Sequence, residues 1–156
     1  MLKCLLAALA VLALAVPVTA SAHSSTQMTR PETTLLAAMN QVREQHGLRP
    51  LRADLHLERA ARAHSKEMLA TGVFAHGAFT TRMAQYGVQG RIAGENLAWG
   101  TGSLGTAQGI VRAWLASPEH RANLLRPSFS RVGIADLLGA FEGYRGARVV
   151  TADFAG

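Results

Sequence analysis

Apolar residues recur along this chain with several different periods, and each period predicts a different element. From Leu5 to Val18 they run on without a charged or polar side chain. Further along, Leu35, Leu36, Met39 and Val42 fall three and four apart, on one face of a helix that Gly47 ends. Just upstream, Thr29-Arg30-Pro31-Glu32 fits a capping box, with Pro31 tolerated in the first turn. A second helix starts at Asp54 as N-cap, carries Leu57, Ala60, Ala61, His64 and Met68 on its inner stripe, and stops at Gly72. A third begins near Leu104, with Ala107, Val111 and Trp114 on one face, and ends near Ser117. There Ser117-Pro118-Glu119 opens a short helix with Ser as N-cap and Pro at the first position, and Pro127 closes it.

The period then changes. Val132, Ile134 and Arg148-Val149-Val150-Thr151 are β-branched and bounded by glycines, which predicts two or three antiparallel strands connected across Gly139 to Gly146. Between Val73 and Gly102, glycines and irregular spacing predict an ordered loop with one short helix around Arg82 to Tyr86, and loops of that length usually carry function. Helices first and strands later give an α+β layered domain.

The first apolar run differs from the rest. One cation, Lys3, precedes it, and Pro17 and Thr19-Ala20-Ser21-Ala22 follow it, a small-residue pattern that a signal peptidase accepts. Residues 1–22 are therefore expected to be a signal peptide, and 23–32 a flexible leader. The run falls short of the roughly 18 to 20 apolar residues of a transmembrane anchor, so no anchor is expected. The product is expected to be secreted, whether periplasmic or extracellular.

Cleavage after Ala22 changes the chemistry as well as the address. The chain has one cysteine, Cys4. It precedes the apolar run, so it cannot be the acylated cysteine of a lipoprotein, and it leaves with the signal. Disulfides, thiolate metal sites and a cysteine nucleophile are thereby excluded. The roughly 130 remaining residues suit one domain with one core, expected to be a monomer. Without Lys3, 15 of the 16 Lys and Arg face 10 Asp and Glu, a net charge of +5. The arginines are scattered and aromatics are few, so nucleic acid is not an expected partner.

Three polar residues stand at loops or helix starts: His76 in Phe74-Ala75-His76-Gly77, Glu95 in Gly94-Glu95-Asn96-Leu97-Ala98, and His120 in Ser117-Pro118-Glu119-His120-Arg121. Two imidazoles and a carboxylate could hold Zn²⁺ with water in an open position, or act as a base pair on water. Their spacing matches no local metal motif, and three unrelated polar residues is the competing reading. His64, on an apolar stripe, is expected to be a hydrogen-bonded core residue. Trp114 is expected in the core, and Asn40 and Arg43 are expected to fix the first helix against a loop.

Longer patterns add a resemblance. Asn40-x-x-Arg43, Gly47-Leu48-x-Pro50-Leu51, Ala61-x-x-His64-Ser65-x-x-Met68, Phe74-x-His76 and Gly94-Glu95-Asn96-Leu97-Ala98 occur in order. Trp114-x-x-Ser117-Pro118-x-His120-Arg121-x-Asn123-Leu124-Leu125, Val132-Gly133 and Thr151-x-x-Phe154 follow. Together they resemble the CAP superfamily, the cysteine-rich secretory, antigen 5 and pathogenesis-related 1 proteins, in its short bacterial SCP-like form, over residues 33–154.

The resemblance implies an α-β-α sandwich with a central antiparallel sheet between helical layers, and a cleft lined by two histidines and two acids. His76, Glu95 and His120 match three of the four. The fourth departs, because Trp114-Leu115-Ala116-Ser117 has serine where longer members have glutamate. Glu119 stands nearby, as a substitute or simply as a helix-start acid. With one carboxylate fewer, Ca²⁺ is disfavoured; either Zn²⁺ is held at His76 and His120, or no metal is held and Glu95 and Asn96 fix the loop by accepting backbone N–H bonds while the histidines only flank it. The implied function is a secreted, non-enzymatic binder of a lipid-like, glycan or protein ligand of the envelope or exterior, with His76, Glu95 and His120 lining its cleft. The alternative is a zinc-assisted hydrolase with Glu95 as general base.

Overall fold

The first described helix opens on the capping box. The structure, a computed structural model, describes residues 28–156. The expected signal peptide and the leader as far as Gln27 lie outside the described residues. Helix α1 spans Arg30–Gln45 with Thr29 at its N-cap, so the last residues assigned to the leader belong to its first turn. Buried Glu32 accepts from the Thr29 N–H at 2.7 Å and takes the Arg62 guanidinium on its other oxygen at 2.6 Å, which ties α1 to the second helix.

Helix α2, Leu55–Thr71, starts where the sequence places it. Asp54 accepts from the N–H groups of His56 and Leu57, and Gly72 ends it in the left-handed conformation. Beyond it the chain departs from the expected loop. The segment expected to be mostly loop contains helix α3, Phe79–Gln85, and a full strand, β2, Ala93–Gly100. Glycine, glutamate and asparagine are poor strand formers, so local propensity hides β2. Its identity comes from residue-by-residue antiparallel pairing with the last strand, from Ala93 opposite Ala155 to Gly100 opposite Arg148. After a 3₁₀ turn over Gly102–Gly105, α4 covers Ala107–Ala116, capped by Thr106 rather than starting near Leu104. Helix α5 covers Pro118–Leu124, with Ser117 at the N-cap position but without a side-chain cap bond.

Strands β3, Arg131–Phe141, and β4, Tyr144–Ala155, form a hairpin whose turn narrows to Glu142-Gly143, both at positive φ. The two-residue strand β1, Arg52–Ala53, completes the sheet in the order β1-β3-β4-β2. The three long strands are antiparallel, as expected, while β1 runs parallel to β3.

Period-two alternation divides β4 between two layers. Val150, Ala152 and Phe154 join Leu35 and Met39 of α1, Ile110 and Trp114 of α4 and Leu124 of α5 in the main core. The other face packs on α2, through Met68 with Leu97 and Val149, and through Leu57 and Ala60 with Ala155. The α2 layer lies so close to β3 that a Cβ at Gly133 would fall 2.0 Å from the Leu57 carbonyl carbon, so only glycine fits there. The α-β-α sandwich is thus as expected.

Arg43 and Asn40 hold α1 to the chain that follows. Buried Arg43 donates to the carbonyls of Arg49 (2.9 Å), Leu124 (2.8 Å), Arg126 (3.2 Å) and Phe129 (3.0 Å). Asn40 bonds both backbone groups of Leu51. Because Arg43→Met leaves several buried carbonyls without donors, it is expected to cost about 3 kcal/mol or more in urea unfolding. A lysine side chain cannot present the guanidinium fork, so Arg43→Lys should recover less than half of that loss, and full recovery would contradict the account.

Candidate functional site

The loop between α2 and α3 is latched from both sides. His64, 2% exposed, points its Nε2 at the Ala75 carbonyl at 2.8 Å. A carbonyl only accepts, so that nitrogen carries the proton. From α3, Arg82 donates to the His76 carbonyl at 3.3 Å. His64 is therefore a core residue, as expected, and it positions the loop that carries His76.

Glu95 is not on a loop but on β2, with its side chain on the α2 face, 6% exposed. Each of its oxygens has a partner. Oε1 meets His76 Nδ1 at 2.7 Å, and Oε2 accepts from Arg82 Nη2. The carboxylate accepts, so His76 donates from Nδ1 and keeps Nε2 as its free nitrogen. The His76 side chain itself is 59% exposed.

Beneath them lies a residue that the sequence reading does not single out. Asp153 on β4 stands directly opposite Glu95 and is fully buried. Among the described residues neither of its oxygens has a donor, and Arg82 Nη2 stays 3.9 Å away. Burial, then the charge of Glu95, raises its carboxyl well above the usual carboxylate range, only partly opposed by Arg82.

On the opposite side of the β2 edge, α5 brings His120. Its carbonyl accepts from Asn96 Nδ2 at 2.9 Å, and Asn123 Nδ2 reaches the Glu95 carbonyl and Asn96 Oδ1, both at 3.1 Å. Gly94 allows this closeness, since a Cβ there would lie 2.9 Å from the Phe129 ring and 3.1 Å from Asn123 Oδ1. Burial, and secondarily the neighbouring His76, lowers the His120 pKa, with Glu119 opposing, which favours the neutral ring.

His76, Glu95 and His120, the residues that the sequence singles out, all line one cavity of about 310 Å³, together with Phe79, Gly94, Glu119 and Asn123. Among the described residues no group of three or more His, Cys, Asp or Glu is arranged to hold a metal ion. Glu95 is committed to Arg82 and His76, which leaves the two imidazoles and the Glu119 carboxylate as the ionisable groups of the cavity free to meet a metal. Arg82 and Asp153 are the members of the site that motifs miss. The signal available is the alternation of β4, which puts Asp153 on an inward face between Thr151 and Ala155.

The α-β-α sandwich with two histidines and a glutamate at one cleft is what the resemblance implies, although Glu95 stands on a strand rather than on the loop expected. The chain belongs to the cysteine-rich secretory protein family, whose CAP model matches residues 36–154. It is 35% identical over 121 residues to the uncharacterized protein YkwD of Bacillus subtilis (strain 168), a match covering 74% of this chain and 45% of that one. The chain therefore spans a little under half the length of that relative.

Among solved structures it is similar to an extracellular protein containing an SCP domain from Bacillus anthracis str. Ames. That match has 27% identity and a TM-score of 0.63 over 79% of this chain and 39% of the other. An outer surface protein from Borrelia burgdorferi, at 21% identity, shares the fold with a TM-score of 0.67 over 78% of this chain and 89% of its own.

The Asp153 environment has a measurable consequence. Between the ordinary carboxylate pKa and the raised one, the folded state binds a proton that the unfolded state has lost, so this group makes stability fall as pH rises. Asp153→Asn supplies a neutral isostere that can donate to Glu95. It should be more stable than wild type at pH 7.5 by about 1 kcal/mol or more, with the difference shrinking by pH 4.5 in urea unfolding. A variant less stable at both pH values would contradict a neutral Asp153.

Proposed function

We propose that this is an exported, non-enzymatic binding protein whose cleft holds Zn²⁺ through His76 and His120 and takes a lipid-like, glycan or protein ligand of the envelope or exterior. The observation that carries the reading is the state of Glu95, whose two oxygens each have a donor. A histidine that donates its second nitrogen to a carboxylate is fixed in tautomer and orientation, as metal-binding histidines usually are. Neutral His120 is the matching donor across the cleft. A bound Zn²⁺ would supply a Lewis-acidic contact for an oxygen of the ligand.

The alternative, a zinc-assisted hydrolase, requires Glu95 to take a proton from water. Its engagement by Arg82 and His76 argues against that, and supports a positioning role for it instead. Export is supported by the signal-peptide pattern and by similarity to an extracellular and an outer surface protein. Among the described residues no helix is long and apolar enough to cross a membrane.

The mature chain is expected to take up zinc in calorimetric titration, and His76→Ala and His120→Ala are each expected to weaken it at least about tenfold. Glu95→Gln, which removes the charge that orients His76, should fall between them and wild type. Equal zinc affinity in all four proteins would remove the metal from the proposal.

A further inference from the structure

The cleft continues past His120. That side chain also borders a second cavity of about 280 Å³, lined by Phe74, Leu97, Ala98, Trp99, Ala113 and Trp114. The two cavities follow the edge of β2. Gly94 lines one and Trp99 the other, five residues apart on the strand, so the groove runs about 17 Å at roughly 3.3 Å per residue. One half is polar and the other aromatic. Phe74 is 40% exposed and packs edge-on to Phe141, 6.3 Å between centroids. Trp99 is half-buried and lies 5.8 Å from both Phe141 and Tyr144, which is itself 55% exposed. Buried Phe141 thus backs a row of aromatic side chains that reaches solvent.

Three ligand classes fit this groove poorly. An extended peptide would add to the free edge of β2, but the Glu95 and Leu97 carbonyls on that edge are already taken by Asn123 (3.1 Å) and the Trp114 indole (2.9 Å). A nucleic-acid strand needs cations beside its stacking faces, and neither cavity is lined by Arg or Lys. An acyl chain would leave much of its surface in water in an open groove whose other half is His76, Glu119, His120 and Asn123.

We infer that the ligand is a neutral chain of pyranose rings lying along β2, with ring faces on Trp99 and Phe74 and hydroxyls toward His120, Asn123 and Glu119. A sugar ring has an apolar C–H face that suits an aromatic surface. Its rim of hydroxyls both donates and accepts, and the polar half of the groove offers imidazole and amide donors beside a carboxylate acceptor. This inference rests on the cleft being a binding site, as proposed above, and names the class of ligand that it takes.

The chain has two tryptophans, and Trp114 is 1% exposed, so a ligand stacked on Trp99 is reported by tryptophan emission. Mature protein is titrated with cellotetraose and chitotetraose by fluorescence and calorimetry, with laurate as the acyl comparison and zinc binding measured on the same samples. At least one tetrasaccharide is expected to give a saturable response. Trp99→Ala and Phe74→Ala should each weaken it about tenfold or more, while Trp99→Phe stays within about threefold because an aromatic face remains. Phe74 is exposed, so its variant tests the contact without disturbing the core. Zinc binding without a response to either tetrasaccharide overturns this inference and leaves the metal reading standing. A tetrasaccharide response without zinc binding supports it and removes the metal. Saturable binding of laurate alone, or tetrasaccharide affinity unchanged in both alanine variants, also overturns it.

Discussion

A carboxylate buried in a protein must be surrounded by charge and donors, and the Glu95 carboxylate organises this molecule's cleft by that requirement. Removing an ion from water costs several kcal/mol after relaxation, and the cost is met only when the remaining lone pairs are occupied with good geometry. Arg82 and His76 occupy them. In doing so they bring together three separate pieces of chain. Arg82 anchors α3, His76 anchors the loop before it, and Glu95 itself is carried by an edge strand. Asp153 lies beneath the first carboxylate, and burial together with the charge of Glu95 raises its carboxyl well above the usual range, which disfavours a second negative charge there. The cleft thus has one buried anion, two partners for it, and a histidine whose free nitrogen is set by them.

The same edge strand is held from its other side by neutral hydrogen bonds. Asn123 and Trp114 take the outward carbonyls of β2, and Asn96 takes the carbonyl of His120. These contacts cover the strand edge that would otherwise invite another chain to pair. They also fix α5 so that His120 faces the cavity that His76 and Glu95 line. The described residues contain no cysteine, so such polar ties, and not disulfides, join the elements. Arg43 with its four carbonyls, and Glu32 with Arg62, do the same for α1.

Much of this is legible in the residues. The caps at Thr29, Asp54 and Gly72 mark helices whose apolar stripes are unambiguous, and the β-branched run around Val149 marks a strand. His76, Glu95 and His120 emerge from motifs rather than from periodicity, and they do share a cavity. Strand β2 is hidden because Gly94, Glu95 and Asn96 are selected by what they touch: the Phe129 ring, Arg82 with His76, and the His120 carbonyl. Tertiary pairing with β4 decides their conformation. Arg82 reads from sequence as part of a short helix in a loop, since nothing local distinguishes an arginine that folds inward from one that does not. Asp153 is masked inside a motif whose recognisable members are Thr151 and Phe154.

If Glu95 and Arg82 are the pair on which the cleft depends, their contributions to stability cannot be independent. The direct test is a double-mutant cycle of Arg82→Met and Glu95→Gln, read by urea unfolding. Each single variant should lose about 3 kcal/mol, because it takes the oppositely charged partner from a buried charge. The double variant should be more stable than the sum of the two by at least about 2 kcal/mol. Losses that add to within about 0.5 kcal/mol would show that the two side chains are stabilised separately, and would contradict the account.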